Sequence, residues 1–257
     1  MLKQLRAEIH KLADPKKAKI LQGFSKTGKG EYAEGDIFLG IVMPKQRALA
    51  KKYWDKITLP ELDILIKSKI HEERLIALLI LVKQFESFTK NSIRSNSDKI
   101  RKFGSAKIIF KFYLSHTKHI NNWDLVDLSA PNIVGEYLYS LSLDGRGAGV
   151  RVKNKTLHKL ALSKNLWEKR IAILATFAFI KQGECQDALK IAKMLMDDKH
   201  DLIHKAVGWM LREVGKRVSE KTLTDFLDKN VTIMPRTMLR YSIERLPIKT
   251  KKYFLNK

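Results

Sequence analysis

Apolar residues recur at helical spacing along almost the whole chain, as in Leu2, Leu5, Ile9 and Leu12, in Leu62, Leu65 and Ile66, and in Leu223, Phe226 and Leu227. No run alternates apolar and polar residues in the manner of a half-buried strand, so the amphipathic helix is the unit from which this chain must be built. Only 13 glycines and 6 prolines in 257 residues fit that reading, because sandwiches and barrels consume such residues at their many turns. Helix starts are expected at Asp14 with Pro15, Met43 with Pro44, Thr58 with Pro60 and Glu61, Asn96 to Asp98, Ser129 with Pro131, and Ser219 with Glu220. These breaks predict short helices joined by connections of ordinary length.

Three segments, Glu73 to Gln84, Trp167 to Lys181 and Ile203 to Arg217, share a loose order of charged residues, then small and aliphatic residues, then a basic end. The pattern predicts an all-α fold of HEAT type, an α-solenoid of stacked antiparallel helix pairs with a concave basic groove. No linker long enough to divide the chain interrupts it, so one domain over residues 1–257 is expected. Two glycine-rich stretches, Ser25 to Asp36 and Asp144 to Gly149, should be flexible or tightly turned loops. Neither fits a phosphate-cradling motif, since GKG is not followed by Lys-Ser/Thr and a helix, and GRGAG lacks a preceding strand.

Charge narrows the function. Fifty Lys and Arg against 27 Asp and Glu leave a formal net charge of +23, which calls for a polyanionic partner. The longest apolar run, Leu75 to Val82, is far short of a membrane span. The first residues, MLKQLRAEIHKL, are charged throughout, unlike a signal peptide. A single cysteine, Cys185, forms no intramolecular disulfide and no structural zinc site, and a reducing, cytoplasmic compartment follows as the expectation. His200 and His204 beside Asp197 and Asp198 have ligand-like spacing, but no HExxH accompanies them, and no metal or cofactor is expected there or at His116 and His119. Cys185 has no clear His partner for a nucleophilic role.

Two local patterns carry chemistry. In Asn121-Asn122-Trp123-Asp124-Leu125-Val126-Asp127, a helix places the Trp123 indole and the Asp127 carboxylate on one face. The plain alternative is a core tryptophan beside an exposed capping acid. In Lys205 to Glu213 the residues Lys205, Trp209 and Arg212 form one stripe of two cations about an aromatic ring. Gly208, next to that tryptophan, costs about 1 kcal/mol relative to alanine inside a helix, which points to a backbone kept clear for a close approach.

Read in order, Asn122-Trp123-Asp124-Leu125-Val126-Asp127, Trp167-Glu168-Lys169-Arg170-Ile171-Ala172, Lys205 to Glu213 and Arg236 to Glu244 resemble the signature blocks of the AlkD-type DNA alkylation repair glycosylases. Tyr32 to Ile41, followed by Pro44 and Arg47, resembles a further block near the start. The resemblance covers about residues 20–245. It implies a HEAT-like solenoid, monomeric, that grips duplex DNA and hydrolyses the N-glycosidic bond of positively charged 7-alkylguanine and 3-alkyladenine without flipping the base. Carried over by position, Asp127 would be the catalytic carboxylate, and Trp123, Trp209 and Tyr32 would pack against the lesion-bearing nucleotide. Arg170, Lys205, Arg212, Arg236 and Arg240 would hold the DNA backbone. A non-cutting solenoid that binds distorted duplex, and a protein-interaction scaffold, are the competing readings; the charge weighs against the second and the Trp123/Asp127 pair against the first.

Overall fold

A computed structural model describes residues 1–90, 96–143 and 147–257, with side chains for all of these except 90 and 96–104. The chain is all-α, and its helices pack on successive neighbours as in a helical repeat. Among the described residues the one extended pairing is a parallel bridge between Ile37 and Ile70. The contacts resolve two compact units, Met1–Ser129 and Ala130–Lys257.

The first unit contains α1 (Leu2–Lys11), α2 (Pro15–Phe24), α3 (Met43–Tyr53), α4 (Leu59–Ile66), α5 (His71–Lys90), α6 (Asn96–Ser115) and the start of α7 (Trp123–Ala130). The expected starts hold at α2, where Asp14 accepts from the Lys17 amide ahead of Pro15, and at α4, where Thr58 and Glu61 cap each other reciprocally. At α3 the helix begins on Met43 itself, with Pro44 in the first turn. The expected cap over Asn96 to Asp98 lies outside the described side chains. The core of the unit is α5, buried from Leu75 through Leu81 and flanked by α3, α4 and α6. Burying one such aliphatic side chain contributes about 1.5–3 kcal/mol, which is why this helix can be apolar around its whole circumference. Its polar first turn is also buried, and its charged groups are met by ion pairs and backbone donors, Arg74 Nε excepted. Arg6 of α1, for example, grips Glu73 through Nε at 3.0 Å and Nη2 at 2.9 Å.

The second unit contains a π-helical turn (Pro131–Gly135), α8 (Glu136–Ser142), α9 (Ala148–Ala161), α10 (Leu166–Ala175), α11 (Phe177–Ile180), α12 (Gln186–Met194), α13 (Asp201–Arg217), α14 (Glu220–Asn230), α15 (Arg236–Ser242) and α16 (Ile248–Leu255). α10 and α13 carry most of its core and pack on each other. Ser219 caps α14 as expected, accepting from the Thr222 amide. The expected start at Ser129 is not one. Ser129 is buried, donating to the Leu125 carbonyl at 2.5 Å and bonding the Tyr113 hydroxyl at 2.9 Å, and the helical path runs on through Pro131. Proline supplies no N–H and crowds the preceding turn, so the backbone passes it in a wider π turn rather than stopping.

The glycine-rich stretches divide likewise. Residues 25–36 form turns in which Gly30 and Gly35 take positive φ, while the side chains of Glu31 and Glu34 accept from the Gly28 and Gly30 amides. In the second stretch, residues 144–146 lie outside the described residues and Gly149 is already inside α9, so close to the Leu141 carbonyl that a Cβ would sit 2.0 Å from it.

Candidate functional site

In the first unit the helix that carries Trp123 and Asp127 is positioned by buried polar groups at its start. Asn122 is fully buried and its side-chain oxygen accepts from the Trp123 amide at 2.8 Å. Asp124 accepts from the Leu125 amide and bonds His71 Nε2, each at 2.8 Å. His71, the first residue of α5, is 1% exposed; its Nδ1 lies 3.4 Å from Asp36, and its ring stacks on Phe38 at 4.3 Å. Asp36 is clamped in turn by Arg74 at 2.5 Å. Burial alone would lower the His71 pKa, but the hydrogen bonds to Asp124 and Asp36 outweigh it and raise it to about 8, so the imidazole is cationic at neutral pH.

Next to this network, Glu72 is buried and its two carboxylate oxygens accept three backbone amides, Leu39 at 2.9 Å, Gly40 at 2.8 Å and Ile41 at 3.1 Å. Gly40 adopts φ +83°, and a Cβ there would meet the Asp14 carbonyl at 2.2 Å. The loop from Tyr32 to Ile41 is thereby pinned both to α5 and to the start of α2.

On α7, Trp123 is half-buried and meets the Phe24 ring edge-on, with centroids 5.7 Å apart. Asp127 follows one turn later and is also half-buried. Its negative charge reaches the buried Tyr113 phenol, whose pKa is pushed up first by burial and further by Asp127, against the lowering effect of the Ser129 hydrogen bond. Tyr32 is half-buried in the preceding loop. The face shared by Trp123 and Asp127 is therefore formed as the spacing predicts.

In the second unit the expected DNA-facing residues have varied surroundings. Trp209 is half-buried on α13. The close approach signalled by Gly208 is that of α15: an added Cβ would lie 2.5 Å from both the Met238 carbonyl and Tyr241 Cβ. Lys205 pairs with Asp201 at 2.6 Å, and Arg212 pairs with Glu244 across to the end of α15 and lies 3.7 Å from Glu213. Arg236 donates to the Leu255 carbonyl at 3.1 Å, and Arg240 is exposed. Arg170 is 5% exposed and donates through Nη1 to the Leu202 carbonyl at 2.5 Å, so a substantial part of its role is to join α10 to the first turn of α13.

Of the histidine pairs weighed from spacing, His200 and His204 serve local contacts, whereas His116 Nε2 bonds Asp63 of α4 at 2.7 Å. His200 accepts from the Leu202 amide and caps α13, and His204 Nε2 lies 2.5 Å from the Asp198 carbonyl. Among the described residues no group of three or more His, Cys, Asp or Glu side chains is placed to hold a metal ion. No described helix is long and apolar enough to cross a membrane. Burial pushes the Cys185 thiol pKa up.

Sequence reasoning did not find His71, Glu72, Asp36, Arg74 or Phe24. The run His71-Glu72-Glu73-Arg74 ahead of an apolar helix reads as an ordinary charged first turn, and only the fold returns the loop at 36–41 and the start of α7 to it.

The model of the family described as DNA alkylation repair enzyme matches residues 5–246. The chain belongs to that family. Among solved structures, it is similar to one described as a predicted DNA alkylation repair enzyme from Enterococcus faecalis, with a TM-score of 0.64 and 14% sequence identity over 92% of this chain and 97% of the other. At that identity the likeness speaks for the fold. No curated protein matches. Membership makes this chain an enzyme of DNA alkylation repair, and it places the match across both compact units.

Proposed function

We propose that this repair enzyme is a DNA glycosylase that releases positively charged alkylpurines from duplex DNA, with Asp127 as its catalytic carboxylate. The observation that carries the reading is the joint presentation of Trp123 and Asp127, both half-buried, one turn apart on α7. A 7-alkylguanine or 3-alkyladenine leaves with the electron pair of its glycosidic bond and becomes neutral, so no general acid is needed. The charge that develops is an oxocarbenium ion at the sugar. Asp127 stabilises that cation, and as water adds to the anomeric carbon the carboxylate accepts its proton. The electron-rich indole of Trp123 favours both the cationic lesion and the cationic sugar.

The net charge of +23 supports a duplex DNA substrate, and by resemblance Trp209, Tyr32 and the cations Arg170, Lys205, Arg212, Arg236 and Arg240 would contribute to its binding. Given the surroundings above, Arg240 fits a direct phosphate contact best, whereas Arg170 would act more by fixing the start of α13. The chain would work as a monomer. Release of labelled 7-methylguanine from methylated duplex by the purified protein, with Asp127→Asn as control, tests the reading. Release by the wild type that is lost in the variant is expected, and no release by the wild type overturns it.

A further inference from the structure

His71 opens α5 at a point where two other elements meet it. The loop at 32–41 brings Asp36 to its Nδ1 at 3.4 Å, and the first turn of α7 brings Asp124 to its Nε2 at 2.8 Å. A carboxylate only accepts, so both contacts are hydrogen bonds only when both ring nitrogens carry protons. A neutral imidazole has one N–H and would turn a lone pair toward the other carboxylate. Stacking on Phe38 holds the ring plane between the two.

The charged groups around the ring come from four elements. The loop supplies Asp36, clamped by Arg74 of α5 at 2.5 Å, and α7 supplies Asp124. α5 itself adds Glu72, whose oxygens are spent on the amides of Leu39, Gly40 and Ile41. From α2 comes Lys17, across a cavity of about 300 Å³ that His71, Glu72, Trp123 and Asp124 also line. α3 lines it with Met43 and Gln46 and adds no charge. Three carboxylates and three cations balance, and the balance includes the His71 proton. Removing that proton leaves a surplus negative charge beside two carboxylates that no longer share a donor. On the cavity side, Trp123 and Asp124 border open space, so the ion pair rather than close packing fixes the first turn of α7 there.

We propose that His71 is a positioning residue for base excision, its imidazolium tying the 32–41 loop and the first turn of α7 into the one arrangement that presents Tyr32, Trp123 and Asp127 together. The readout in base release rests on the glycosylase reading; the tie between loop and helix does not. The consequence is a pH limit set away from the reacting atoms. Burial pulls the His71 pKa down, but the hydrogen bonds to Asp124 and Asp36 raise it to about 8. Excision should therefore hold below that pH and fall as pH rises through it, an alkaline limb that a carboxylate with its ordinary pKa of about 4 does not supply.

The test is single-turnover release of 3-methyladenine from methylated duplex across this window, well below the melting temperature. The cation of that base has no ring N–H to lose near neutral pH, so the substrate does not titrate there. In the wild type the rate should fall by about tenfold or more as His71 loses its proton. His71→Gln should start lower and lack the limb, with affinity for duplex unchanged. Asp124→Asn removes the charged partner of His71, so its limb should move to lower pH; where His71→Gln fails to fold, this variant carries the test. In the free protein the Trp123 indole N–H and the Asp36 amide, one on each side of His71, should shift in the NMR spectrum together with the His71 ring protons, the indole being assigned through Trp123→Phe. The same limb in wild type and His71→Gln, an unmoved midpoint in Asp124→Asn, or resonances of Trp123 and Asp36 indifferent to pH overturns the proposal. If the wild type releases no base, the glycosylase reading falls, and the two resonances alone decide whether His71 ties the loop to α7.

Discussion

His71 Nε2 and the Asp124 carboxylate meet at 2.8 Å, joining the first residue of α5 to the first turn of α7. Through this contact the most buried helix of the first unit sets the position of the helix that presents Trp123 and Asp127. Neither partner is a residue that would react, yet both stand between the hydrophobic core and the proposed chemistry.

The contact makes stability depend on pH. The folded-state pKa of His71 is raised from 6.5 to about 8, so the folded protein binds the proton more tightly than the unfolded chain does. That contribution, about 2 kcal/mol, is fully present below about pH 6.5 and is lost as pH rises through about 8. Melting temperature should therefore fall across that window, and in His71→Gln the slope there should flatten. An unchanged slope in the variant would assign the dependence to another group.

Glu72→Gln should destabilise the first unit by about 2 kcal/mol or more, because a carboxylate accepting three amides is exchanged for an amide with one acceptor oxygen. Hydrogen exchange at Leu39, Gly40 and Ile41 should speed up before exchange in α5 does. Melting and exchange together distinguish this local loosening from global unfolding.

At Gly208 an alanine Cβ would be forced against backbone and side chain of α15, at 2.5 Å from each. Gly208→Ala should cost about 1–3 kcal/mol by overpacking, despite the better helix propensity of alanine. Gly23→Ala, with nothing within 4 Å, should be neutral or slightly stabilising. Thermal melting of both variants gives the comparison.

If Asp127 stabilises a sugar cation, Asp127→Asn should slow single-turnover excision by about 10²-fold or more while leaving melting and affinity for undamaged duplex nearly unchanged. Full activity would return Asp127 to the role of a surface acid, in which Asn is a good replacement.

Affinity for undamaged duplex should fall with salt, at a slope near −0.9 for about each phosphate contacted. Charge reversal at exposed Arg240 should weaken binding more than reversal at exposed Lys11. Equal effects would remove Arg240 from the proposed DNA surface, and a flat salt response would remove the surface itself.

Helices and several of their starts were legible because periodicity and capping are local: Asp14, Thr58 and Ser219 each act within four residues of themselves. The Trp123/Asp127 face was legible for the same reason. Ser129 was misread because its hydroxyl bonds Leu125 and Tyr113, and burial, not sequence, decides between a cap and a core serine. The His71 network was invisible because its members, Asp36, His71 and Asp124, are brought together only by the fold. Gly208 signalled a close approach correctly, but not that the approaching group would be α15.

The Glu72 carboxylate has a consequence for how this molecule behaves among its neighbours. The segment at 37–41 is not helical, and Ile37 pairs with the chain at Lys69 and His71 in a parallel bridge. An extended segment with unmet amides is an open edge onto which another chain can add, the usual first contact of strand-mediated aggregation. Here the amides of Leu39, Gly40 and Ile41 end on a buried side chain. Glu72 thus leaves these three amides with nothing to offer a neighbouring chain.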